Sequence, residues 1–111
     1  MRRIEEFENS IEYSFKDKNL LKNALTHSSY ASENGKSYIA NNERLEFLGD
    51  AFLGAVIASK LFSVMNNEKE GVLSKKRAEI VCEQTLADIA KSIDLGDYLF
   101  LGNGEESQGG R

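Results

Sequence analysis

The chain has 111 residues, enough for one domain and too few for two. With 41% hydrophobic and 29% charged residues it has the material for a modest core and a solvated surface, which excludes a disordered tail. Fourteen basic residues against 18 acidic ones, a net charge of −4, exclude a surface that is basic overall, so any contact with nucleic acid has to use local patches. The lone cysteine, Cys82, rules out an internal disulfide and a thiolate metal cage, and the single histidine, His27, rules out a histidine metal cluster. The amino terminus lacks the apolar run of a secretory signal, and no stretch is expected to cross a membrane. The cytoplasm is the expected compartment.

Proline is absent and helical spacing prevails, so the prediction is an all-α domain of about five or six helices without internal repeats. A first helix is expected over about residues 2–9, with Ile11, Tyr13 and Phe15 docking the segment that follows. A second is expected over about 18–28, where Leu20, Leu21, Ala24 and Leu25 recur on one face. A polar loop over 32–37 turns at Gly35. Asn41 or Asn42 can cap the next helix, whose first turn holds Glu43 at the positive end of the helix dipole and which runs to about Met65. After a polar connection over 66–71, Leu73, Ile80 and Val81 share one face, whereas Leu86, Ile89 and Ile93 share another about half a turn away. Two helices, or one bent near Glu83, fit this phase jump. A turn over 94–97 precedes an apolar plug, 98–101, and the glycine-rich residues 102–111 read as a loop.

The helix that starts at Glu43 is the informative one. At about 100° per residue Glu43, Glu46 and Asp50 fall in a stripe about 60° wide, while Leu45, Leu48, Phe52, Ala55 and Val56 lie opposite, on the predicted core face. Two carboxylates about 6 Å apart repel by roughly 0.7 kcal/mol in water and about 3 kcal/mol at an effective dielectric of 20, a repulsion that a cation relieves. Hard divalent ions prefer carboxylate oxygens, so Glu46 and Asp50, one turn apart, make a plausible half-site for Mg²⁺. Acid pairs at this spacing are also common on solvated helices, and the spacing alone is weak. Phe47 sits beside the acids, where an aromatic side chain needs a partner. Beyond Asp50 the same stripe turns apolar at Gly54, Ile57, Ala58 and Leu61, so something besides the domain's own core has to cover it.

The run 42–51, NERLEFLGDA, closely resembles the signature of the ribonuclease III family, metal-dependent endonucleases that cut double-stranded RNA. The flanking runs 21–30, LKNALTHSSY, and 70–81, EGVLSKKRAEIV, followed by the turn 95–98, LGDY, are similar to the same family in its bacterial form. The resemblance implies an all-α nuclease domain that forms a homodimer across the signature helix, with double-stranded RNA in the valley between subunits and Mg²⁺, or Mn²⁺ in its place, held by four acids. Two of these match Glu46 and Asp50. Glu43 matches a further signature acid near the subunit interface and the RNA, and the catalytic set carried over is Glu43, Glu46 and Asp50. Phe47 matches an aromatic residue that enters a pocket on the partner. The family's other metal-binding pair, an Asp and a Glu three residues later, has no match before Arg111, since Glu105 and Glu106 are adjacent and do not fit that motif. The expectation is a partial nuclease domain over 1–111, with 102–111 leading to helices outside the chain and little or no cleavage by the chain alone. The alternative is a non-catalytic dimerisation or RNA-binding module with the same fold.

Lys75, Lys76 and Arg77 form the densest basic run; a solvated face accounts for the lysines, and Arg77 is the candidate RNA contact by resemblance. Ser74 is expected to cap or to hydrogen-bond locally near the start of its helix. His27 is assigned a structural role and Cys82 a buried, inert one.

Overall fold

Capping residues and apolar spacing decide where the helices begin. The computed structural model describes residues 3–33 and 41–107. Its elements are α1 (Ile4–Ile11), α2 (Lys18–Ala24), α3 (Ser28–Glu33), α4 (Glu43–Val64), α5 (Glu70–Ile80), α6 (Glu83–Ser92), a 3-10 turn (Leu95–Tyr98) and α7 (Asn103–Ser107). Among the described residues there is no strand, only an isolated parallel bridge between Thr26 and Phe100, so the all-α expectation holds. Asp17 caps α2, its Oδ1 accepting from the backbone N–H of Asn19 at 3.0 Å and of Leu20 at 3.2 Å. At α4 both asparagines are used: Asn41 Oδ1 accepts from the Glu43 N–H at 3.0 Å, and Asn42 Nδ2 donates to the Ala24 carbonyl at 3.2 Å. The phase jump near Glu83 is a true break, since α5 stops at Ile80 and α6 starts at Glu83.

Four expectations about the extent of the helices need correction. The described helices are more numerous than five or six, because the predicted second helix ends at Ala24 and Ser28 opens α3. Ser32 belongs to α3 rather than to a loop, while Gly35 and the rest of that predicted loop lie outside the described residues. The glycine-rich tail is not all loop: Asn103–Ser107 is helical, which places Glu105 and Glu106 on α7. The first helix is Ile4–Ile11, shifted from the expected 2–9.

The core lies at one end of the molecule. Phe7, Leu21, Leu25 and Tyr98 form its buried cluster, with Ile4, Ile11, Phe15, Ile93, Leu95, Leu99 and Phe100 packed around it. The Phe7 and Tyr98 rings meet with centroids 5.1 Å apart. The plug residues therefore do what their composition implied, closing α1 and α2 from the other end of the sequence. Helix α4 stands apart from this cluster and packs chiefly on α5. Its predicted core face is mostly open: Leu45 is half-buried, Ala55 is exposed, and Leu48, Phe52 and Val56 are 50%, 64% and 61% exposed. Only Leu61 of α4 is buried. The physical reason is supply: a helix apolar on every side needs neighbours on every side, and α5 covers one of them. The radius of gyration, 16.5 Å, exceeds the roughly 13 Å of a compact chain of this length, as expected when one long helix projects. By length and composition α4 would also reach across a membrane, with an apolar window of mean hydropathy 1.6, which corrects the expectation that no such stretch exists.

Buried Glu8 ties α1 to the start of α2. Its Oε2 accepts from the Phe15 N–H and from Lys18 Nζ, both at 2.6 Å. The Lys18 hydrogen bond, then the one from Phe15, hold the Glu8 carboxyl below its ordinary value. A carboxyl so depressed stabilises the fold above its unfolded value of about 4.3, and that contribution is lost as pH falls through the lower folded value. Thermal melts should therefore show Glu8→Gln less stable than the parent at pH 7 and less sensitive to acidification below about pH 4; equal acid sensitivity would show that Glu8 does not carry it. Leu21→Ala, in the buried cluster, should cost about 2–5 kcal/mol in denaturant unfolding, a large share of what a domain this small has.

Candidate metal and nucleic-acid site

The first half of α4 carries the site. Its backbone starts where the Asn42 N–H donates to the Thr26 carbonyl at 2.9 Å, and the Glu46 N–H closes the first turn on the Asn42 carbonyl at 2.7 Å. The carboxylates of Glu43 and Glu46 thus lie in the first turn, at the positive end of the dipole. Glu43, Glu46 and Asp50 are all exposed, as the helical wheel predicts. They share a face but do not gather: among the described residues no group of three His, Cys, Asp or Glu side chains could hold one metal ion. Glu43 and Asp50 are separated by about 10 Å of helix rise, which explains why the stripe is not a cage. What remains is the pair one turn apart, Glu46 and Asp50, two hard oxygen donors with open access to solvent. Mg²⁺ is commonly held by one or two carboxylates and keeps several waters, so this pair fits a divalent ion as a half-site.

Beside the acids, Phe47 is 82% exposed. A ring of this size in water loses the burial energy that would normally hold it, about 1.5–3 kcal/mol. Exposed Leu48, Phe52 and Val56 lie on the other side of the same helix, so α4 carries the acid stripe on one face and an uncovered apolar face opposite it.

Arg77 is not brought to the acid pair. It lines a cleft of about 230 Å³ between α4 and α5, with Ala58, Leu61, Phe62, Glu70, Leu73 and Ser74. Ala58, the lining residue of α4 nearest in sequence to the acids, is about 12 Å of helix rise beyond Asp50. Ser74 bonds locally as expected, its hydroxyl donating to Glu70 Oε1 at 2.6 Å. Lys76 pairs with Glu79 at 3.5 Å on the exposed face of α5, which suits the solvated reading of the lysines. Glu70 is a polar lining residue that sequence reasoning passed over; its only signal was the Glu-x-x-x-Ser spacing that places the two side chains one turn apart.

Cys82 corrects another expectation, for it is exposed at the start of α6. Its Sγ lies 3.2 Å from the Thr85 hydroxyl, and hydrogen bonds from the Thr85 side chain and backbone hold the thiol below its ordinary value. The apolar stretch before it misled, because Ile80 and Val81 are half-buried whereas Cys82 is the N-cap residue of the next helix. His27 is structural as expected: its Nδ1 bonds the Ser29 backbone N–H and hydroxyl.

Comparison with known proteins bears on the whole of this surface. The sequence profile of the ribonuclease-III-like family matches residues 17–111. Ribonuclease 3 of Caldanaerobacter subterraneus subsp. tengcongensis is 56% identical over 104 residues, which make up 94% of this chain and 45% of that protein. Ribonuclease 3 of Campylobacter jejuni strain RM1221 is 52% identical over 111 residues, all of this chain and 47% of that protein. The chain thus spans about half the length of the curated relatives it matches. Among solved structures, the nuclease domain of ribonuclease III from C. jejuni superposes with a TM-score of 0.88 at 48% identity, over 97% of this chain and 71% of that one. That structure is described as flexible in a region involved in dimer formation. A family match over nearly the full sequence, joined to a shared all-α fold, settles the affiliation: this chain belongs to the ribonuclease-III-like family.

Proposed function

We propose that this chain supplies part of the active site of a divalent-metal-dependent endonuclease that hydrolyses phosphodiester bonds in double-stranded RNA and works as a homodimer. The observation that carries the reading is the exposed Glu46–Asp50 pair on a helix whose Phe47, beside the acids, and whose opposite apolar face are both uncovered. Family membership supports the chemistry. In this reading Glu46 and Asp50 present hard oxygens to the ion, with Mg²⁺ the expected metal and Mn²⁺ its substitute. When bound, the ion supplies charge neutralisation at the scissile phosphate and readies a water for attack. Glu43, exposed in the first turn of α4, acts toward the partner subunit and the RNA. Arg77 is a phosphate contact at a distance from the acids, where a guanidinium can take two phosphate oxygens at once.

A second reading is favoured by one observation. A two-carboxylate half-site orients a metal loosely, so the same fold can serve as a dimerising or RNA-binding module without cleavage. The two readings separate in one assay. Duplex RNA is incubated with Mg²⁺ or Mn²⁺ and either this 111-residue chain or a version extended to the length of the relatives. We expect the extended protein to cut and the short chain to cut poorly. In the extended protein Asp50→Asn should lower cleavage by at least about 10²-fold, the scale set by misplaced catalytic groups. Metal-dependent cutting by the short chain at the rate of the long one would overturn the half-site account, and cutting that ignores Asp50→Asn would overturn the assignment of that residue.

The dimer has its own test. A two-fold interface uses Phe47 from both copies, so Phe47→Ala should weaken self-association by about 10²-fold or more in sedimentation. Because the ring is exposed in the single chain, the thermal stability of the monomer should hardly change. An unaltered dimer would remove Phe47 from the interface.

A further inference from the structure

The segment that anchors α4 also anchors the start of α7, and the chain's only histidine sits between the two anchorages. The Thr26 carbonyl takes the Asn42 N–H at 2.9 Å and the Ala24 carbonyl takes Asn42 Nδ2 at 3.2 Å, which fixes the start of the acid-bearing helix. One residue further on, the His27 N–H donates to the Phe100 carbonyl at 2.9 Å. A polar relay follows. The Gly102 N–H donates to the Ser29 hydroxyl at 2.9 Å, and that hydroxyl lies 2.7 Å from His27 Nδ1, which also accepts the Ser29 backbone N–H at 3.1 Å. The directions are mutually consistent: the hydroxyl accepts from Gly102 and donates to Nδ1, which assigns the ring proton to Nε2 in the neutral imidazole. Gly102 is buried and is the last residue before α7, and its N–H needs a partner inside the fold. The Tyr30 ring packs edge-on to Phe100 with centroids 5.5 Å apart, so α3 and the plug are also held by apolar contact.

We propose that His27 is a positioning residue: through the Ser29 hydroxyl it docks Gly102, and so fixes where α7 stands relative to the Glu46–Asp50 pair. The inference rests on the metal-site reading of that pair for its functional meaning, but the relay stands on its own geometry. His27 touches neither substrate nor metal in this scheme. It aims the hydroxyl, and the hydroxyl holds Gly102. Asparagine is the conservative replacement, since a side-chain oxygen at this position can still accept from the N–H two residues on.

The test uses amide hydrogen exchange and ¹H–¹⁵N spectra of the 111-residue chain, with Mn²⁺ as a broadening probe. Ser29→Ala should raise exchange at Gly102 by about tenfold or more while leaving the Ser29 amide protected, because Nδ1 still accepts it. His27→Ala should expose both amides, and His27→Asn should restore protection at Ser29. In each variant that frees Gly102, Mn²⁺ bound at Glu46 and Asp50 should broaden the α7 amides to a different extent than in the parent. Unchanged Gly102 exchange in either Ser29→Ala or His27→Ala overturns the proposal. Should a variant fail to fold, the parent decides: a Gly102 amide that exchanges as freely as an exposed one overturns it, and a protected one supports it. Absence of Mn²⁺ broadening near Asp50 in the parent would count against the metal reading alone, since the exchange measurements contain no metal.

Discussion

Three stretches of chain meet through backbone hydrogen bonds at residues 25–27, and the architecture depends on that junction. Leu25 and His27 exchange bonds with Phe100 at 2.8 and 2.9 Å, while Thr26 takes the Asn42 N–H at 2.9 Å. Thr26 is 4% exposed, and its hydroxyl donates to the Lys22 carbonyl at 2.6 Å. Polar groups withdrawn from water this far must find partners, so the junction is held by the cost of breaking it as much as by the bonds it makes. It joins the Phe7–Tyr98 core to the start of α4, the helix that bears the carboxylates.

The rest of the molecule is divided between a closed end and an open one. At the closed end α1, α2 and the 95–101 segment bury a small set of large side chains against each other. At the open end α4 offers Phe47, Phe52, Val56 and Phe62 to solvent, from 61% to 82% exposed. An apolar surface of this extent on a polar, acidic chain marks a place of association. Phe47 alone of these lies beside the carboxylates, so whatever covers that ring also borders the acid pair. Recognition and chemistry would then be coupled by position on one helix, without any need for a moving part.

Charge is arranged on the same economical scale. The chain is acidic overall, yet Lys75, Lys76 and Arg77 gather on α5, the helix packed against α4. A phosphate backbone approaching the acid pair would find its cations on the neighbouring helix rather than on α4 itself, where Lys60 and Arg44 are the basic residues. Long-range fields from a net charge of −4 oppose such an approach weakly at physiological salt, where screening acts over about 8 Å, so local contacts decide.

By itself the sequence determined the helical class, the extent of α4, the phase jump near Glu83, the apolar plug and the exposure of the acid stripe; whether that jump was a break or a bend was left to the structure. All of these depend on local rules: periodicity, capping at Asn41 or Asn42, and the phase of apolar residues along one helix. The signature 42–51 also carried the family, because acids, aromatic and glycine in that order are specific. Tertiary structure alone decided which apolar faces were covered. The wheel put Leu48, Phe52 and Val56 opposite the acids correctly, but a wheel says where a side chain points and nothing about whether another element is there to meet it. The same holds for Cys82, whose exposure depends on where α6 starts, and for α7, whose Asn-Gly start has weak helix propensity and which is held by contact with α3. The His27–Ser29–Gly102 relay joins residues far apart in the chain, and no local pattern encodes a partner supplied by folding.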